Sequence, residues 1–217
     1  MKKLTLDDLN AAHEKLMQLE PRGGFYDFAR IFTGRESITD NIAGALILTA
    51  TWNSGRFRFA NKSTILDELG RALIYSQPIL EKLENERIET ADINNIRKDI
   101  KEIYSRLSEI IGVEYTGASK ILSLNNTNLF VMWDDYIRKE YGFGKSADEY
   151  VRFLGECQQA SKDIKLQDSI SIAKAIDEYN YMNISYPAVQ KEKQKEKEMQ
   201  KKAKEEKLKR RQNETKT

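Results

Sequence analysis

The chain has 217 residues, 40% of them hydrophobic, enough for one well-packed core and an appendage. A single cysteine, Cys157, excludes an internal disulfide, a thiolate zinc site and a four-cysteine iron–sulfur loop, and a single histidine, His13, excludes histidine triads and histidine-rich metal sites. The net charge of +2 is unevenly spread: residues 191–217 hold twelve Lys/Arg and six Glu, a balance of +6, which leaves −4 for the rest.

An acidic remainder argues against strong nonspecific affinity for nucleic acid through that part, because such affinity rests on neutralising phosphates; a local basic patch stays open. Neither a P-loop nor a dinucleotide-binding glycine pattern occurs, so no cofactor or metal is expected. The opening MKKLTLDDLN has no apolar signal core, and the longest apolar run, AGALILTA at 43–50, is too short to span a bilayer. The expectation is a cytoplasmic protein with no membrane partner.

In chain order, Thr5 with Asp8 has the form of a cap, opening a helix through Leu6, Leu9, Leu16 and Leu19 that Pro21-Arg22-Gly23-Gly24 ends. Phe25 to Phe32 is a short second segment. Ser37 or Thr39 caps a third, which runs through Ile42 and Leu46 to Trp52 and breaks at Asn53-Ser54-Gly55. Ser63 starts a helix through Ile65, Leu66, Leu69 and Leu73, which Pro78 is expected to interrupt. Thr90 is expected to cap a long helix with Ile93, Ile96, Ile100, Ile103, Leu107 and Ile110 on one stripe.

Gly112 to Gly117 then form a turn ahead of a helix from Ala118 to Leu124. Ser146 with Glu149 caps a helix carrying Tyr150, Phe153 and Leu154, and Ser169 to Tyr179 is a further helix. No stretch alternates with period two, so the fold class is all-α: a compact orthogonal multi-helix domain over residues 1–188. Residues 189–217 are a Lys/Glu-rich tail with almost no apolar anchor, either disordered or a marginal solvated helix. Such a tail is a solubilising appendage or an electrostatic arm for nucleic acid or a protein partner.

Residues 112–141 read GVEYTGASKILSLNNTNLFVMWDDYIRKEY. A glycine-flanked turn opens a short helix, a polar loop follows, and the LFVMW run delivers Asp134 ahead of Ile137 and Arg138. This segment of about thirty residues resembles the helix-hairpin-helix DNA glycosylase superfamily (HhH-GPD), in which a Gly-rich hairpin precedes a valine-aspartate-x-x-aliphatic-arginine stretch. The resemblance implies the helical glycosylase fold, DNA as partner, and Asp134 as the aspartate that stabilises a cationic sugar during base excision, or Asp135 if the register differs by one. It also implies nucleic-acid contacts at Gly112, Tyr115, Thr116, Gly117, Lys120 and Arg138. Trp133 and Tyr136 would flank an extruded base, and Trp52, Asn53 and Arg56 of TWNSGRFRF would line the same pocket.

Two positions depart from the family pattern. Glu114 replaces a hairpin glycine and brings a negative charge toward the expected phosphate. Thr116 stands where bifunctional members carry their lysine, and a threonine cannot form a Schiff base. Lys120 could serve only in a shifted register. Asp134 is also a favoured N-cap for a helix starting at Asp135, and Trp133 and Tyr136 have the spacing of core residues. Two functions therefore stay open: monofunctional base excision through Asp134, or a non-catalytic member of the same fold that binds nucleic acid or a protein partner.

Overall fold

The computed structural model describes residues 1–19, 23–33, 37–166 and 170–214. Pro21, Arg22 and Ser169 lie outside the described residues, and Gly23 and Gly24 open a helix rather than end one. Among the described residues the regular structure is entirely helical. Helix α1 (Leu6–Leu19) opens on a reciprocal cap, in which the Asp8 amide donates to Thr5 Oγ1 (3.1 Å) and the Thr5 amide to Asp8 Oδ2 (3.0 Å). Helix α2 (Gly23–Thr33) packs along α3 (Ile38–Trp52), and the crossing is close because Gly44 has no side chain. A Cβ there would meet the Ala29 carbonyl oxygen at 2.8 Å.

A single turn, α4 (Ser54–Phe57), follows, and then α5 (Ile65–Lys82). Pro78 lies inside α5 and does not interrupt it. The carbonyl that loses its partner belongs to Ile74, which is 56% exposed, so water can replace the missing donor. Helix α6 (Arg97–Ser108) starts later than Thr90. The Asp92 carboxylate accepts from the Asn94 and Asn95 amides (3.1 and 3.2 Å), a side-chain turn that competes with helix over those residues. Ile93 and Ile96 are buried all the same, from turns rather than from a helical stripe.

Helix α7 (Glu114–Asn125) is the centre of the molecule, with every residue buried except Glu114, Lys120 and Asn125. It packs on α2, α3 and α6. Asn126 ends it and stitches the polar loop to the end of α5: its amide nitrogen donates to the carbonyls of Leu83 (2.7 Å) and Glu86 (3.0 Å), and its oxygen accepts from the Asn128 amide (2.8 Å). Residues 129–133 then run buried beside α7, where Ser119 Oγ donates to the Trp133 carbonyl and accepts from the Trp133 amide, both at 3.2 Å.

Helices α8 (Asp135–Glu140) and α9 (Ala147–Ala160) close over this segment, α9 capped by Ser146 Oγ, which accepts from the Glu149 amide. Trp133 is fully buried among Tyr104, Tyr150, Phe143 and Phe153, with ring centroids 5.1–6.3 Å away. Helix α10 (Ile172–Asn180) lies against α1 and passes through a π-helical turn (Tyr181–Ser185) into α11 (Tyr186–Glu214). Helix α11 crosses residue 188 without a break, and its residues from Gln190 to Glu205 are exposed.

Candidate functional site

The turn between α6 and α7 is built by local geometry and locked from outside. Gly112 has φ +92° and Glu114 φ +49°, both in the left-handed region, and the amides of Val113 and Glu114 both donate to the Ile110 carbonyl (3.0 Å). Glycine is required at 112 for a second reason: a Cβ would meet the Ala60 Cβ at 2.6 Å. Asn53, the C-cap of α3, then donates its side-chain amide to the carbonyls of Gly112 (3.0 Å) and Val113 (2.9 Å). Gly117 is not part of the turn. It lies one turn inside α7, where a Cβ would meet Asn53 Nδ2 and Val113 Cγ1 at 2.9 Å. Both glycines thus make room for neighbours within the chain, Ala60 and Asn53.

Asp134 is the N-cap of α8, with extended backbone at φ −131°. Its Oδ1 accepts from the amides of Tyr136 (2.8 Å) and Ile137 (2.9 Å), and no described residue donates to Oδ2. Asp135 sits in a different environment. Its carboxylate accepts from Arg138 (2.9 Å), from Arg56 (2.8 Å) and from the Tyr115 hydroxyl (2.5 Å). Burial acts to raise its pKa, and the hydrogen bonds from Arg138, Tyr115 and Arg56 outweigh burial and hold it well below the usual carboxylate range. Burial and the Asp135 carboxylate together push the Tyr115 hydroxyl up to about 12.

Arg56 also pairs with Glu114 and lies over the Tyr115 ring (4.5 Å), and Lys145 lies over the same ring at 4.7 Å. This cage ties α4, α7 and α8 into one unit. A carboxylate so fully engaged is a staple and not a proton acceptor, and Glu114 is part of the cage. Arg138 also donates to the Phe143 carbonyl (2.6 Å).

The other expected site residues separate into groups. Thr116 is 6% exposed inside α7. The Lys120 ammonium donates to the Trp52 carbonyl, and the Trp52 ring stacks on Tyr26 (5.5 Å, 13°). Trp133 lines no surface; its place is the aromatic core, because the segment that carries it is pinned to Ser119. Tyr136 is half-buried and donates to Glu192 (2.5 Å), which joins α8 to the base of α11. The Glu192 hydrogen bond, with some burial, pushes the Tyr136 hydroxyl up to about 12. A groove of about 410 Å³ beside this bond is lined by Tyr136, Lys139, Glu140, Asn183, Ile184 and Ala188.

One charged group escapes the sequence reading. On α10, Lys174 Nζ lies 3.0 Å from Asp177 and 3.7 Å from Glu178, and stands over the Tyr26 ring at 4.6 Å. Glu178 also meets His13 Nδ1 at 2.7 Å, which ties α1 to α10. The signal was present in IAKAIDEYN, where a lysine precedes two acids at helical spacing inside an otherwise apolar helix.

No helix of the described residues is long and apolar enough to cross a membrane, and no group of three His, Cys, Asp or Glu among them is placed to hold a metal ion. No family model, curated protein or solved structure matches the chain.

Proposed function

We propose that the protein is a non-catalytic helical module that binds nucleic acid, built on a hairpin and aspartate frame resembling that of the helix-hairpin-helix DNA glycosylases. The observation that carries this reading is the use of Asp134: its Oδ1 caps α8 through two backbone amides, while Thr116 fills the lysine position. The neighbouring Asp135 is committed to Arg56, Arg138 and Tyr115. Affinity comes from the tail. The tail carries a +6 balance over residues 191–217, and its residues 191–205 form an exposed helix whose base is bonded to Tyr136, two residues from Asp134.

The second reading, monofunctional base excision, is favoured by the one oxygen of Asp134 that no described residue occupies. A base-release assay over duplexes carrying alkylated, oxidised and deaminated bases separates the two. Asp134→Asn is the control, because asparagine caps a helix as well as aspartate does but carries no charge to stabilise a cationic sugar. The proposed reading expects no base release from either protein. Release by the wild type, lost in Asp134→Asn, would establish excision in its place.

A further inference from the structure

We propose that Phe59 and Ile111 form an apolar tip that enters between unstacked bases of a single-stranded or locally opened nucleic acid, with Arg58 and Lys62 on the adjoining phosphates. The proposal rests on the nucleic-acid reading above and assigns a contact that the tail alone cannot supply. Single exposed apolar side chains are ordinary on a protein surface. Here two large ones, 65% and 64% exposed, come from segments far apart in sequence that touch at the very next residues, Ala60 and Gly112. Their chain neighbours Ala60 and Gly112 are packed so closely that a Cβ on Gly112 would stand 2.6 Å from that of Ala60. The Asn53 clamp on the Gly112 and Val113 carbonyls holds the two segments together. The tip is thus preorganised, and a ligand need not order it.

Charge selects the partner. Arg58 lies over the Phe59 ring at 4.7 Å, and Lys62 lies over the Phe57 ring at 4.1 Å while donating to the Phe57 carbonyl (2.6 Å). Neither makes an ion pair among the described residues, whereas Arg56 two positions earlier is fully paired. Glu109, exposed at the end of α6, is the carboxylate nearest to Ile111 along the chain, and Glu114 is already held by Arg56. Aromatic and aliphatic surface interleaved with unpaired cations fits bases and phosphates in alternation. An acidic peptide would meet the cations but leave the apolar pair in water.

The test uses the full chain and a fluorescein-labelled single-stranded DNA 20-mer, with anisotropy followed across NaCl concentrations. In the Phe59→Ala/Ile111→Ala double variant, binding should weaken about tenfold with the salt slope unchanged, because stacking carries no counterion release. In Arg58→Ala/Lys62→Ala, binding should weaken and the slope should fall by about 1.4, two contacts on a single strand. Circular dichroism melts should match the wild type for both, since these side chains are exposed. Wild-type binding that is undiminished in the apolar double variant overturns the tip and leaves the nucleic-acid reading standing. Binding of a poly-glutamate probe as tight as that of the DNA also overturns it. Failure of the wild type to bind DNA at any salt removes the functional reading and the tip with it.

Discussion

Asp134 and Asp135 are neighbours with opposite tasks, and each has its own signature. Asp134 gives one oxygen to two backbone amides. Asp134→Ala should therefore cost about 0.5–2 kcal/mol in urea unfolding, while Asp134→Asn should cost only a few tenths. Equal losses in both would mean that the charge, and not the cap, is what matters to the fold. Asp135 titrates with the fold instead. Its folded pKa is depressed below its unfolded value, so its contribution is complete above the ordinary aspartate range and fades as pH falls through the folded value. The stability gap between wild type and Asp135→Asn should be full near neutral pH and should narrow progressively as pH falls below about 4 toward the folded value. A gap that stays constant down to strong acid would contradict the cage. The cap was legible in the sequence because it is local: aspartate followed by the first helical turn. The cage was not, because Arg56 lies 79 residues from Asp135 and nothing in the spacing of either pairs them.

Among the elements, the junction of α3, α4 and the α6–α7 turn governs how the molecule is held. The Asn53 side-chain amide donates to the buried carbonyls of Gly112 and Val113, the second of which also accepts from the Gly117 amide (2.9 Å). Asn53→Leu should destabilise by about 1–3 kcal/mol, chiefly by leaving the buried Gly112 carbonyl without its donor. Gly112→Ala should lose about 1–3 kcal/mol from backbone strain alone, before the clash with Ala60 is counted. Denaturation of both variants by urea checks this, and a Gly112→Ala protein as stable as the wild type would deny the turn its geometry. Hydrophobic spacing revealed most of these helices, since a buried stripe repeats whatever the partner. It failed where side chains overrule backbone: Asp92 delays α6, and Pro78 sits in α5 where solvent can satisfy the Ile74 carbonyl. It also placed Gly117 in the turn, because a glycine that admits a neighbour looks the same in sequence as one that permits a left-handed backbone.

At the scale of the whole molecule, an acidic helical body carries a basic helix that leaves it beside Tyr136. Residues 191–205 are exposed throughout, so ending the chain after Gln190 should leave the melting temperature nearly unchanged. A large loss would mean that the tail packs on the body. The charge division was plain from composition alone, whereas the tether between Glu192 and Tyr136 needed the folded chain. The central claim, that the molecule binds nucleic acid through charge displayed on this helix, is met most directly by titrating a duplex DNA with the full chain over a range of NaCl concentrations. Log affinity should fall linearly with log salt, at about −0.9 per phosphate neutralised, and the slope should be shallower once residues 191–217 are removed. Absence of binding at the lowest salt, or a slope indifferent to the tail, would contradict it.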